Sequence, residues 1–271
     1  MIPPALLAAL VDDAGLFPPE QLPMDAALSR HRADEEAGHL MLTHRFLCPA
    51  SRLAEMRSLL VDVDRIRLGL LLDTGLSGLE RELRDLDPRL TLEAVEVPLP
   101  NGEVVEALEA LAGVPVPAYL EGPSDLGWLK SLGHWPGPTE RRAKIRCGGA
   151  GPEHFPSPGE LAAFMHATWT AGVSFKASAG LHRAVRAERG GFVYHGYLNL
   201  LLAAARVAEG APVERIAEVL AATRADELIA EAAALSPEEV EETRAFFVAY
   251  GSCSTSEPIE DASRLLGMEG A

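Results

Sequence analysis

Two lysines stand where apolar runs give way to small residues: Lys144 in RRAKIRCGG and Lys176 in VSFKASAG. An amine is a nucleophile only when neutral, and a second ammonium nearby or removal from water lowers its pKa. If the two runs are neighbouring strands, both lysines point into one cavity. Lys176 then depresses Lys144, and Lys144 can form a Schiff base with a carbonyl compound. The competing structural reading pairs each lysine with a carboxylate, such as Glu121 or Asp73, in an ion network.

Other apolar runs end in the same manner. Asp12 and Asp13, Arg45, Asp73, Glu96, Glu121, Arg146, Ser178, Ser252 and Ser254 all fall at or just past such ends. Asp13, Asp73 and Glu121 are candidates to relay protons. Arg45, Arg146, Ser252 and Ser254 are candidates to hold a carboxylate or phosphate, with Glu96 and Ser178 completing the substrate-binding set. His182, His195 and Asn199 follow the Lys176 run. His195 and Asn199 are four apart in YHGYLNLLLAA, so on a helix they share a face near its N-terminus, where the dipole favours anions. His195 is a candidate general acid or base there, and His182 and Asn199 candidate substrate contacts. Arg183, Arg186 and Arg189 form a basic run that suits either a lid or a solvated loop.

The elements that must position these residues follow from the hydropathy pattern. Short apolar runs (MLTHRFLCPA, RIRLGLLLDTG, LTLEAVEVPLPNG, PVPAYLEGPSD, RRAKIRCGG, VSFKASAG) alternate with amphipathic helical segments at intervals of about 25 to 30 residues. That is the arithmetic of an α/β fold, a (β/α)8 TIM-type barrel, in which functional groups come from the C-terminal ends of the strands. An open doubly wound sheet is the rival, weakened because no GxGxxG follows the first strand. Residues 212–248 read as two or three extra C-terminal helices, a helical insertion before a short final strand at about Ala249–Ser252. The alternative for that last run is a helix capped by Gly251. The 271 residues read as a single barrel domain, 1–271.

A formal net charge of −16 argues against a nucleic-acid partner, although a basic pocket for one small anion is compatible with it. Cys48, Cys147 and Cys253 show no CxxC spacing, which disfavours a disulfide framework or structural zinc. Cys147 and Cys253 read as buried small hydrophobes or as thiols made reactive by Lys144 and Arg146. No apolar run reaches membrane-spanning length and the N-terminus has no basic region, so a cytoplasmic protein without a membrane partner is expected. Exposed helical faces on barrels suit a homo-oligomer.

The KASAG run, followed by basic residues, resembles the KASGG-type run on the seventh strand of deoxyribose-phosphate aldolases. By that resemblance Lys144 matches the family's Schiff-base lysine on the sixth strand and Lys176 the assisting lysine on the seventh. GSCST is similar to the family's Gly-Thr-Ser-Ser phosphate loop, which implies an anion site at Gly251, Ser252 and Ser254. VDDAGLF bears a likeness to the aspartate-containing first strand. KIRCGG departs from the family's Lys-Thr-Ser-Thr-Gly run and places Arg146 where a hydroxyl is expected. The resemblance implies a class I aldolase-like lyase, free of cofactors, acting on a small anionic carbonyl metabolite. Two alternatives stand beside it. One is an isomerase or lyase using a divalent metal ion held by Asp73, Glu96, Glu121 and His195. The other is a barrel that binds a metabolite without turnover.

Overall fold

The structure, a computed structural model, describes residues 1–77, 79–99, 104–122, 126–132, 135 and 141–266. In chain order the elements are α1 (Pro4–Leu7), β1 (Val11–Asp13), α2 (Met24–Ala37), β2 (Leu42–Pro49), α3 (Leu53–Leu59) and β3 (Ile66–Leu71). Next come α4 (Leu79–Arg84), β4 (Leu90–Pro98), α5 (Val104–Ala110), β5 (Ala118–Glu121), α6 (Leu126–Ser131) and β6 (Arg141–Arg146). The remainder is α7 (Pro158–Thr170), β7 (Phe175–Ser178), a hairpin of β8 (Ala187–Arg189) and β9 (Phe192–Tyr194), and α8 (Tyr197–Ala208). The chain then runs through α9 (Val213–Ala221), α10 (Ala225–Ala233), α11 (Pro237–Phe246), β10 (Phe247–Ser252) and α12 (Ser256–Leu266).

Eight parallel strands close on themselves in the order β1-β10-β7-β6-β5-β4-β3-β2, so this is a (β/α)8 barrel with three extra helices, α9 to α11, before its last strand. The final strand forms where the sequence suggested, and β10 closes the barrel between β7 and β1. Ser157 and Ser236 start α7 and α11 as capping boxes, each hydroxyl accepting the N3 amide while Glu160 or Glu239 returns to the cap amide. Phe175 stacks on Phe247 and meets Phe164 and Phe246 edge-on, which seals β7 and β10 against α7 and α11.

The β8–β9 hairpin is a departure from the expected arginine loop. Gly190 and Gly191 both have positive φ, the requirement of a two-residue type I′ turn. Phe155 stacks on Phe192 at 4.6 Å and holds the hairpin over the segment after β6. Glu103 and Gly133, at the outer ends of the helical segments EVVEALEALAGV and LGWLKSLG in the sequence, lie outside the described residues. Among the described residues, no helix is long and apolar enough to cross a membrane.

Candidate active site

Alternation along each strand decides which groups enter the barrel. In the barrel register Lys144 pairs with Lys176 and Glu121 with Lys144. Contacts then cross the interior between strands that are not neighbours. Lys176 Nζ on β7 lies 2.5 Å from Glu96 Oε1 on β4 and 2.5 Å from Asp12 Oδ2 on β1. Lys144 Nζ lies 2.7 Å from Glu96 Oε2 and 2.8 Å from Glu121 Oε2. Each oxygen of Glu96 thus serves one ammonium.

The pattern extends at both ends. Arg146 Nε sits 3.2 Å from Glu121 Oε1. At the other end Arg45 joins Asp12 at 3.1 Å and Glu93 at 3.3 Å, and Arg67 pairs with Glu93 at 2.5 Å. Five cations alternate with four carboxylates, so this chain of charge carries one positive charge in excess. A β-bulge in β4 at Glu93 shifts the side-chain phase, which lets Glu93 and Glu96 both reach the interior although they are an odd number of positions apart.

Exposure is least in the middle of the chain and rises toward both ends, to 46% at Arg67 and at Arg146. The side chain of Lys176 is 0% exposed and that of Lys144 4%, whereas Glu121 is 15% and Arg146 46% exposed. Below Lys176 the Tyr119 ring lies 5.3 Å from Nζ, and Arg142 covers the same ring at 5.7 Å while donating to its hydroxyl. At the rim Ser178, in register with Arg146, keeps a buried hydroxyl without a hydrogen-bond partner.

The expected mutual suppression of the two amines is not what this geometry produces. Burial alone pushes both pKa values down, yet the paired carboxylates outweigh it. Glu96 and Glu121 leave Lys144 above its ordinary value, and Asp12 and Glu96 do the same for Lys176. Glu96 stands between the two ammoniums and cancels their repulsion. Both lysines rest as cations.

Burial likewise opposes ionisation of the carboxylates, but the lysines hold Glu96 down from 4.5 to about 2 and keep Asp12 and Glu121 below their ordinary values as well. A depressed carboxylate contributes stability that is present above its unfolded value and lost as pH falls through the folded one. Unfolding free energy, measured by urea titration at successive pH values, should therefore drop by about 3 kcal/mol or more between about pH 5 and pH 2. A flat profile over that range would contradict the network.

Several expected site residues sit elsewhere. Asp13 faces out of the barrel, where Arg30 contacts it at 2.5 Å and His31 at 3.2 Å; Asp12 is the first-strand carboxylate that points inward. Asp73 accepts from the amide and hydroxyl of Ser51 and fixes the 3-10 turn after β2. Arg45 is committed to Asp12 and Glu93, so it is a network member and not a free anion clamp. Glu96 likewise holds lysines and leaves no oxygen for substrate.

His195 donates through Nε2 to the Pro156 carbonyl at 2.7 Å. Asn199 donates to the carbonyls of Val219 and Ala222 and accepts from the Arg186 amide, so both residues tie α8 to its neighbours outside the barrel. Ser252 donates to the Ser254 carbonyl, and Ser254 accepts from the Glu257 amide at the start of α12. Their hydroxyls shape the loop. Arg183 pairs with Asp261, and His182 with Glu257. The four expected metal ligands do not converge: Asp73 and His195 lie apart from Glu96 and Glu121, whose oxygens face ammonium groups. Among the described residues no group of three or more His, Cys, Asp or Glu is placed to hold a metal ion.

Lys144, Lys176, Glu121, Arg146 and Ser178 do come together at the barrel's C-terminal end. Tyr119 and Glu93, which complete the interior, carry no local sequence signal. Compared with protein-family models, curated proteins and solved structures, the chain matches none.

Proposed function

We propose that this barrel is an aldolase-like lyase that binds a small anionic carbonyl compound as a Schiff base on Lys144. The observation that carries the reading is the unequal placement of the two lysines. Lys144 touches Glu121, which in turn contacts the half-exposed Arg146, whereas Lys176 is wholly buried between Asp12 and Glu96.

A resting ammonium must first lose a proton. Glu96 is a poor acceptor because two ammoniums share its charge. Glu121 is the better one because it is closer to water, 15% exposed against 2% for Glu96, although Arg146 contacts its other oxygen at 3.2 Å. Proton transfer from Lys144 to Glu121 gives a neutral amine and a neutral carboxyl at no net charge change in the cavity. The amine adds to the substrate carbonyl, and Glu121 returns the proton as water leaves. Lys176 stays cationic throughout and fixes Glu96. Arg146 and the unpartnered Ser178 hydroxyl receive the substrate's anionic end, in keeping with the excess positive charge of the chain.

Incubation with pyruvate or glyceraldehyde 3-phosphate followed by borohydride tests this. The expected result is a stable mass increase on the intact protein. The same chain of charge also suits a barrel that binds an anionic metabolite without turnover. Calorimetric binding of either compound with no trapped adduct would favour that second reading and remove the first.

A further inference from the structure

A second reactive constellation lies on the same face of the barrel and takes no part in the lysine chemistry. Cys253 follows β10 by one residue and His182 follows β7 by four, so the pairing of these two strands brings both to the C-terminal end. Cys253 Sγ lies 3.8 Å from His182 Nε2, and His182 Nδ1 lies 2.9 Å from Glu257 Oε2 on the first turn of α12. A thiol and a carboxylate thus flank one imidazole, Cys253 within hydrogen-bond reach of Nε2 and Glu257 at ion-pair distance from Nδ1 without an aligned hydrogen bond. That is the arrangement in which a base, oriented by a third group, takes the proton of a nucleophile.

The other cysteines mark the contrast. Cys48 and Cys147 are wholly buried, and burial pushes both thiols up to about 12. Burial raises the Cys253 thiol too, as do the Glu20 and Glu257 carboxylates, but the amides of Glu20 and Ser254 favour its anion and the residue keeps 6% exposure. Burial also lowers His182. Glu257 and Glu20 act on the imidazole in one direction and Arg189 and Arg183 in the other, and Arg30 binds the Cys253 carbonyl. At rest the pair is therefore a neutral thiol beside a neutral imidazole, and a proton crosses only when sulfur forms a bond.

We propose that Cys253, His182 and Glu257 form a second nucleophilic centre, in which His182 acts as general base and the thiol adds reversibly to a small aldehyde. Sulfur bonds to the carbonyl carbon as the C=O π pair moves to oxygen. His182 Nε2 takes the thiol proton and returns it to that oxygen, giving a hemithioacetal without oxidant or further reactant. The aldehyde class rests on the lyase reading, which brings a carbonyl compound to this face; the nucleophilic centre itself does not.

Iodoacetamide is the probe, with each cysteine followed by peptide mass spectrometry. Cys253 should react at least about a hundredfold faster than Cys48 or Cys147. Its rate should rise as His182 loses its proton, below the ordinary 6.5, and then level off. An unassisted thiol would instead keep accelerating past about pH 9. His182→Gln should slow Cys253 by about a hundredfold, and Glu257→Gln by less. Wild-type speed in His182→Gln would overturn the proposal. Should that variant not fold, a native profile still climbing past about pH 9 overturns it alone. Glyceraldehyde should protect Cys253, and do so equally in Lys144→Met, which separates this outcome from the fate of the Schiff base. Fast alkylation without protection would overturn the aldehyde assignment.

Discussion

Lys144→Met should lose all borohydride-trappable adduct and at least about a thousandfold in turnover, while Lys176→Met should keep a trappable amine. The difference follows from what each change leaves behind. With Lys144 gone, Glu96 still holds Lys176 and Glu121 still holds Arg146, so each carboxylate keeps a cation and the fold survives. What is lost is the only network amine next to the mouth. With Lys176 gone, Asp12 retains Arg45, but Glu96 faces Lys144 alone and becomes a stronger base at the wrong place. The adduct should then form more slowly and the protein should be less stable. Single-turnover trapping of both variants, with melting curves as control, reads the contrast. Equal loss of trapping in both would mean that the lysines act as one unit; undiminished trapping in Lys144→Met would assign the amine elsewhere.

Glu96→Ala should cost about 3–5 kcal/mol of stability, a drop of roughly 10 °C in melting temperature. Glu96 is the one carboxylate shared by both ammoniums, and its side chain is 2% exposed. Its removal leaves two buried cations close together with no common counterion. Water cannot easily replace that carboxylate in the middle of the barrel, because Lys176 is wholly buried. The double replacement Glu96→Leu, Lys176→Met should cost less than the two single changes together, since an ion pair exchanged for apolar groups leaves no orphan charge. Additive costs in that cycle, or a Glu96→Ala protein within about 1 kcal/mol of wild type, would show that the charges are solvated and the chain is no network. Glu96→Ala also restores the repulsion between amines that Glu96 suppresses, so the variant's Lys144 should be a weaker base than the native one.

The barrel was legible because its signal is repetitive: apolar runs and helical segments alternate many times, and one misread element does not change the arithmetic. The final strand was legible because closure needs it. The hairpin of β8 and β9 was not, since its strands are short and largely exposed and only the Gly190–Gly191 pair marks the turn.

Within the site, the neighbouring lysines were legible because β6 and β7 are consecutive and their lysines sit at like distances from the strand ends. Asp12 and Asp13 could not be separated, because β1 has three residues, too few for alternation to set a phase. The partners of the lysines were beyond reach for a different reason. Glu96 touches Lys176 across the barrel from β4, and no local spacing records a contact between strands that are not neighbours. That is why the pKa direction of the lysines came out reversed: the ammonium neighbour was visible and the intervening carboxylate was not. His195 and Asn199 meet neighbouring carbonyls in place of the expected ligand, and a polar face on a helix start reads the same in either case.

Peptide mapping of the borohydride-reduced adduct tests the central claim most directly. The added carbon skeleton should be on Lys144, in the peptide that carries Lys144, Arg146 and Cys147, with Lys176 unmodified. An adduct on Lys176, or full occupancy of the mouth by an anionic carbonyl compound with neither lysine modified, would contradict it.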